Sequence, residues 1–335
     1  MSAGPRRSRG VAVAALALLT TVACAPSSSS EGQDEAGGTD SNYPERTIEV
    51  INPYPAGGTS DILARSLVDS INADGDLGAD LQVVNRAGGG GVVGTSDVLS
   101  AEPDGYTIGF GPEGPITLNP AIQDVPYDPT TVAPVLQVNS VVPIIAVPGD
   151  SPYQDLQDLV DAAEAAPGEI SVGEGPIGYS ISLTLLEKAA GVEFNRVDYE
   201  GDAASLTALL GNNVDAVVTQ PAAVLPQLET GGVRVLGIIG EERSEFIPDV
   251  PTFTEEGFDV EYSASYIVFG PDGLPQDIVD RLGEAFSAAA GTEAFREVAR
   301  TAGLPIDEAG ADELQQYLDS RSAFAQQLVE ENGGL

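Results

Sequence analysis

The most informative segment of this chain is Pro53-Tyr54-Pro55-Ala56-Gly57-Gly58-Thr59-Ser60-Asp61, which separates two runs of different periodicity. The run before it, Ile48-Glu49-Val50-Ile51, has the composition of a buried strand, and residues 62–68 after it repeat their apolar side chains with helical spacing. Glycines permit a tight turn, and a hydroxyl or carboxylate among the last three residues can cap a helix. The order therefore predicts a strand, a glycine turn and the first turn of a helix.

A helix start of this kind is a small anion site, because its free N–H groups and the positive end of the helix dipole face the loop. No Gly-Lys-Ser or Gly-Lys-Thr follows, which excludes a phosphate-binding P-loop. We therefore expect the loop to hold a carboxylate. Its candidate ligand-binding residues are Tyr54, Ala56, Gly57, Gly58, Thr59, Ser60 and Asp61.

The first 23 residues have the pattern of a signal peptide, with three arginines followed by Val11 to Leu19, an apolar run too short to span a bilayer. The sequence Thr21-Val22-Ala23-Cys24 resembles a lipoprotein cleavage box, which predicts lipidation of Cys24. This is the only cysteine, so no intramolecular disulfide can form. Residues 24–42 are rich in Ser, Gly, Asp and Glu, which predicts a disordered tether. The alternative is a plain secreted protein with a spare thiol.

The chain is strongly acidic, with 14 Lys and Arg against 52 Asp and Glu and a net charge of −38, which becomes −41 once the leader is removed. This charge excludes nucleic-acid binding through a basic patch and electrostatic attachment to anionic lipid. The absence of histidine excludes a Ser-His-Asp triad, a Cys-His dyad and His-ligated zinc. We expect no cofactor, no metal and no enzymatic activity.

Strand-like and helical runs alternate through the rest of the chain, which predicts an α/β fold with mainly parallel sheets flanked by helices. Two such units of similar size predict two lobes. The expected crossings between the lobes are the strands near Val141–Val147 and Tyr266–Phe269. The first lobe would comprise residues 43–146 plus 266–335, and the second residues 147–265.

Several further segments stand in a fixed order along the chain. They are Tyr43-Pro44-Glu45-Arg46, the 53–58 loop, Val84-Asn85-Arg86-Ala87 with Gly88 to Gly91, Pro103-Asp104-Gly105-Tyr106-Thr107, Asn119-Pro120, Pro126-Tyr127-Asp128-Pro129, Asp198-Tyr199-Glu200-Gly201, residues 209–215 and Pro248-Asp249-Val250-Pro251-Thr252. In this order they resemble the substrate-binding proteins of tripartite tricarboxylate transporters, also called the Bug family. The similarity extends from about residue 43 to the C-terminus.

The resemblance implies a two-lobed periplasmic-binding-protein fold that closes like a Venus flytrap on a small organic carboxylate. It also implies a large and a small integral-membrane transporter subunit as partners. We expect a monomer that contacts the membrane only through its lipid, on the outer face of the cell membrane. The alternative within this class is a carboxylate sensor that takes no part in transport.

In the family, the second carboxylate loop is a glycine loop at the start of a helix in the second lobe, here Gly173 to Ser182. This chain departs from the family pattern at Tyr179 and Ser182, and it has Glu200 and Ser265 where a Lys and a Trp are usual. The binding mode is therefore expected to be kept, whereas the identity of the ligand does not carry over. The further candidate ligand-binding residues are Gly178, Tyr179, Ser180, Ser182, Tyr199, Thr219, Tyr266, and Gly111 and Glu113 after a strand end.

Other interpretations of these motifs remain. Gly89, Gly91 and Gly94 spell G-x-G-x-x-G, which a dinucleotide site would share, although a tight turn and close helix packing explain them too. Glu113, Glu174 and Glu200 could meet across the cleft as the acid and base of a hydrolase. Glu174 and Glu200 would otherwise point to solvent or meet a positive charge on the ligand. A structural surface lipoprotein would show no lobe closure.

Overall fold

The computed structural model describes residues 43–175 and 177–332. The predicted leader, the lipidation site Cys24 and the tether lie outside the described residues. The strands are β1 (Ile48–Asn52), β2 (Leu81–Asn85), β3 (Thr107–Pro112), β4 (Val132–Val141), β5 (Ile144–Pro148), β6 (Ser171–Glu174), β7 (Asn195–Asp198), β8 (Ala216–Thr219), β9 (Val233–Ile238), β10 (Ala264–Pro271) and β11 (Ile306–Gly310). The helices are α1 (Thr59–Asp74), α2 (Val92–Leu99), α3 (Gly114–Thr117), α4 (Asn119–Ile122), α5 (Leu156–Ala165), α6 (Ile177–Ala190), α7 (Asp202–Leu210), α8 (Pro221–Glu229), α9 (Gln276–Ala290), α10 (Glu293–Thr301) and α11 (Ala311–Asn332), and a short 3₁₀ helix spans Gly89–Gly91.

Two sheets flanked by helices form the two lobes, which confirms the predicted fold class. The first lobe contains a six-stranded sheet of order β11-β4-β10-β3-β1-β2, and the second a five-stranded sheet of order β7-β6-β8-β5-β9. The strand directions are mixed rather than mainly parallel. The β1 strand pairs parallel with β2 and β3, whereas β10 pairs antiparallel with β3 and β4. In the second sheet β6 pairs parallel with β7 and β8, and β5 is antiparallel to its neighbours.

The mixed directions arise where the chain passes from one sheet to the other. The strand expected over Val141–Val147 is two strands, because β4 ends the first sheet's segment at Val141 and β5 begins in the second sheet at Ile144. The chain returns between β9 and β10, ahead of the predicted strand at Tyr266–Phe269. The sequence pattern missed most of β4, where a proline and three polar residues interrupt the apolar run, and all of β11, a five-residue strand with two acidic residues.

The helix α1 illustrates how local pattern and core packing agree. Its buried apolar residues recur at helical spacing, and they pack on the first sheet beside residues of α9 and α10. The C-terminal helix α11 contacts both lobes. Its early residues Leu314 and Leu318 pack with Phe269 of the first lobe, whereas Ala325 and Leu328 join the apolar core of the second. Within the described ranges, no helix combines the length and apolar composition that crossing a bilayer requires.

Candidate functional site

A cavity of about 160 Å³ lies between the two lobes, where helices of both lobes begin. Its lining comes from the predicted loop, the end of β3, the first turns of α6 and α7, and the segment that leads into β10. The lining residues are Tyr54 to Ser60, Pro112 to Gly114, Val141, Ile177 to Tyr179, Glu200 to Ala203, Tyr262, Ala264 and Tyr266. None of them is Lys or Arg.

The first loop takes its shape from Gly57 and Asp61. Gly57 has a left-handed backbone, with φ of +82°, and its N–H donates to the Asp61 carboxylate at 2.9 Å. Asp61 is buried, accepts from the Asn85 amide at 3.0 Å and pairs with Arg65 at 2.9 Å. Burial raises the pKa of Asp61, but the hydrogen bonds from Arg65, Gly57 and Asn85 outweigh it, so the pKa lies below its ordinary value. Asp61 therefore holds the loop in place and does not line the cavity.

The start of α1 presents unpaired N–H groups toward the cavity. The residue before the helix, Gly58, provides no side-chain cap, and Ser60 uses its hydroxyl to donate to Asn52 at 2.7 Å. Among the described residues, no protein acceptor faces the N–H groups of Gly58, Thr59 or Ser60. An anion placed here would accept from these groups and meet the positive end of the helix dipole.

The glycine requirement of this turn lies at Gly57 rather than at Gly58. Gly58 has φ of −78°, an extended conformation that any residue adopts, and an added Cβ would meet only a backbone oxygen at 3.5 Å. A Cβ on Gly57 would meet nothing within 4 Å, so the cost of replacing Gly57 is purely conformational. A small side chain at Gly58 would therefore not force the turn out of shape.

The second lobe contributes two more helix starts, those of α6 at Ile177 and α7 at Asp202. Three helix N-termini therefore converge on one cavity, and each brings a partial positive charge, which Asp202 at the first position of α7 offsets in part. This arrangement makes the cavity suited to an anion without any basic side chain. The sequence analysis marked the α1 and α6 starts as carboxylate loops, whereas it assigned no binding role to the start of α7.

Asp202, at the first position of α7, is the functional residue that the sequence analysis missed most clearly. Asp202 lines the cavity, and its carboxylate accepts from the Thr219 hydroxyl at 2.9 Å and from the Gln220 amide at 2.6 Å. Tyr266 donates to the other end of the Gln220 amide at 3.3 Å, which orients its NH₂ group toward Asp202. Burial raises the pKa of Asp202, and the hydrogen bonds from Gln220, Thr219 and Tyr179 oppose that rise.

Glu113 forms part of the cavity wall and is completely buried. It accepts from the Ser265 N–H at 2.8 Å and from the Tyr317 hydroxyl at 3.3 Å, and Arg321 lies 3.9 Å away. Burial raises the pKa of Glu113, and Arg321 is the strongest opposing influence. The Arg321 guanidinium also stacks over the Tyr262 ring at 4.4 Å. The negative charge of Glu113 is therefore matched from within the protein.

Glu174 neither points to solvent nor lines the cavity, where it could meet a positive charge on the ligand. It is buried, yet it lines neither this cavity nor the adjoining one, and Arg196 donates to it at 3.0 Å. The same guanidinium donates to the Ser180 carbonyl at 2.6 Å, so the pair fixes the first turn of α6. Glu200 is exposed and lines the cavity. The three glutamates proposed for a hydrolase therefore do not assemble in one place.

The structure brings together most of the other predicted residues. Tyr54, Ala56, Gly57, Gly58, Thr59, Ser60, Glu113, Gly178, Tyr179 and Tyr266 line the cavity, and Ser180 and Tyr199 line an adjoining cleft of about 340 Å³. Neither the cavity nor the adjoining cleft is lined by Gly111, Ser182, Thr219 or Asp61. Gly111 packs against Pro53, Ser182 donates its hydroxyl to the Gly178 carbonyl at 2.8 Å, and Thr219 lies behind Asp202.

The glycine-rich segment after β2 has a packing role in this fold. Gly88 to Gly91 all have positive φ, and Gly94 lies so close to Pro53 that an added Cβ would be 2.7 Å from its Cα. These features serve a tight turn and close helix–strand contact. In the part of the chain that the structure describes, no group of three or more acidic or sulfur side chains is arranged to hold a metal ion.

Comparisons with known proteins agree with this geometry. Residues 63–334 match the family described as tripartite tricarboxylate transporter family receptor. The chain is similar to the protein BugT of Bordetella pertussis, with 31% identity over 290 residues that cover 82% of this chain and 88% of BugT.

Two solved structures of similar proteins contain ligands. A Rhodopseudomonas palustris protein described with adipate is 26% identical, with a TM-score of 0.80 over 87% of this chain and 99% of its own. The protein MatC of the same organism, described with bound malate, is 26% identical, with a TM-score of 0.79 over 86% of this chain and 100% of its own.

Proposed function

The chain belongs to the family of tripartite tricarboxylate transporter receptors, and on this premise we propose that it is an extracytoplasmic solute-binding protein for a small organic carboxylate. The observation that carries the proposal is the convergence of the α1, α6 and α7 starts on a cavity lined by no basic side chain. Helix N-termini favour anions, so these three starts replace the arginine or lysine that a carboxylate site would otherwise need. Malate and adipate, the ligands of the two solved relatives, are both dicarboxylates.

One carboxylate is held at the start of α1 by the N–H groups of Gly58, Thr59 and Ser60. Asp61 fixes the loop and Tyr54 supplies part of the cavity wall. The other end of the ligand meets the second lobe at Gly178 and at the first turn of α7. Because the two ends of the ligand contact different lobes, binding favours the closed arrangement.

This mode of binding gives each part of the chain a separate role. Residues 43–146 plus 266–335 move as one lobe and residues 147–265 as the other, and the closed protein delivers its ligand to the large and small membrane subunits of a transporter. Lipidated Cys24 holds the monomer at the outer face of the membrane, and the tether of residues 24–42 links the lipid to the two lobes. The protein performs no chemistry on its ligand.

A thermal-shift screen with succinate, malate, adipate and citrate tests the proposal on the mature protein. A ligand at about 100 times its Kd stabilises the native state by about 2.7 kcal/mol, which for a chain of this length raises the Tm by about 4 °C. Small-angle scattering with the same ligand should show a smaller radius of gyration. If no organic carboxylate, plain or amino-substituted, changes Tm or shape, the proposed function is wrong.

Two neighbouring alanines on α7 provide a matched control. Ala203 lines the cavity, whereas Ala204 does not, and both are exposed. Ala203→Trp should abolish the thermal shift, and Ala204→Trp should keep it.

The anchor is tested separately: mass spectrometry of the membrane-extracted protein should find a diacylglyceryl group on Cys24, and Cys24→Ser should release the protein into the soluble fraction. An unmodified Cys24 would remove the anchor from the proposal and leave carboxylate binding in place.

A further inference from the structure

The negative charges of the cavity are not all matched by the protein. Three carboxylates line it: Glu113, Glu200 and Asp202. Arg321 lies beside Glu113, and Glu200 is exposed to solvent. Within the described residues, the side-chain hydrogen-bond partners of the Asp202 carboxylate are the hydroxyls of Thr219 and Tyr179 and the amide of Gln220, and no Lys or Arg forms an ion pair with it. Asp202 is therefore the carboxylate that lacks a counter-charge.

The hydrogen bonds around Asp202 support its ionised form. Thr219 and Gln220 donate to different carboxylate oxygens, and the donor end of Gln220 is fixed because Tyr266 donates to its other end. These hydrogen bonds favour the charged form, but burial outweighs them, so the pKa of Asp202 lies above its ordinary value and a cation beside it would stabilise the carboxylate. Asp202 also lies at the start of α7, where the dipole stabilises a negative charge.

A second observation in the same cavity concerns Tyr262. Its side chain is 3% exposed, and its hydroxyl lies against Gly178, which also lines the cavity. Within the described residues that hydroxyl has no hydrogen-bond partner at normal distance and angle, although the Arg321 guanidinium lies over the Tyr262 ring. A buried hydroxyl without a partner is costly, so a ligand group that pairs with it would be favoured. Tyr54, Tyr179 and Tyr266 add further aromatic rings to the lining. Aromatic rings and an anionic oxygen are the surroundings that an ammonium group prefers.

Closure removes water from the cavity, and an ionised carboxylate without a counter-charge then destabilises the closed state. A plain dicarboxylate would place a second negative charge near Asp202 and raise that cost. We infer that the natural ligand carries an ammonium group in addition to its carboxylate, and that Asp202 is the counter-charge of that group. The inference rests on the proposed function, since the carboxylate of the same ligand occupies the α1 start.

Calorimetric titration of the mature protein with matched acids tests the inference. The pairs are succinate with L-aspartate, propionate with β-alanine, and adipate with 2-aminoadipate, and the members of each pair differ by one amino group. We expect the amino member of at least one pair to bind at least 10-fold more tightly. Asp202→Asn should reduce that preference by about 10- to 100-fold, which is the usual effect of losing a charged hydrogen bond.

Glu193→Gln serves as the control, because it removes one negative charge from the second lobe at an exposed side chain outside both cavities. It should leave the preference unchanged. Circular dichroism establishes that Asp202→Asn is folded, and if that variant does not fold, the preference of the unmodified protein decides the question.

The outcomes separate the two proposals. If the plain acid binds at least as tightly as its amino partner in every pair, the inference is overturned and the proposed function stands. A preference for the amino member that Asp202→Asn leaves intact would overturn the assignment to Asp202. If neither member of any pair binds, the proposed function fails and the inference fails with it.

Discussion

Replacing Gly57 by alanine is the sharpest test of how the first loop works. Gly57 has φ of +82°, and its N–H donates to Asp61. An L-residue in this left-handed region costs about 1–2 kcal/mol. A Cβ at Gly57 has no neighbour within 4 Å, so no steric contact adds to this cost.

This conformational cost appears either as a lower unfolding free energy or as a weaker affinity for the ligand. If the alanine variant keeps the loop conformation, its unfolding free energy falls by about 1–2 kcal/mol, and the Tm falls by about 2–6 °C. If the empty loop relaxes instead, the ligand must restore it, and affinity weakens by about 5- to 30-fold. We therefore expect the stability loss and the affinity loss, added together, to be about 1–2 kcal/mol.

Gly58→Ala is the matched control, because Gly58 has an ordinary extended backbone and room for a Cβ. Its effect on unfolding should lie within about 0.5 kcal/mol, as for most surface substitutions. Urea denaturation and calorimetric titration of both variants give the two quantities. If Gly57→Ala changes neither stability nor affinity, or if Gly58→Ala is equally damaging, the assignment of the turn to Gly57 is wrong.

Two further predictions concern groups near the cavity. The pKa of Asp61 is lowered in the folded protein, so its stabilisation is present above the unfolded value of about 3.9 and is lost as the pH falls through the folded pKa. Urea denaturation should therefore show that Asp61→Asn costs most near pH 6 and progressively less toward pH 3, and a cost independent of pH would contradict this. Arg321→Met leaves Glu113 buried beside no cation and should lower the unfolding free energy by about 3 kcal/mol, with partial recovery when Glu113→Gln is added. The exposed pair of Arg300 and Glu297 is the control, where Arg300→Met should cost less than about 1 kcal/mol, and equal losses at the two arginines would refute the role of burial.

The sequence was most informative where function depends on neighbouring residues. A strand, a glycine turn and a helix start are all encoded within residues 48–68, because hydrogen bonding and backbone freedom there are local. The anion site at α1 could therefore be predicted with its Tyr54-to-Ser60 lining. The loop at the start of α6, where the helix begins at Ile177, was expected only from the family resemblance.

The sequence by itself determined the two-lobed α/β class, the excluded histidine chemistry and the strand–turn–helix geometry of the first loop, because periodicity, composition and turn chemistry depend on residues close together in the chain. Only the tertiary structure decided which charges are matched. Arg321 and Glu113 are far apart in sequence, as are Tyr266 and Gln220, and packing alone brings them together. Burial and pairing depend on such distant neighbours, and for that reason Glu174 proved to be structural while Asp202 emerged as the unpaired carboxylate of the cavity.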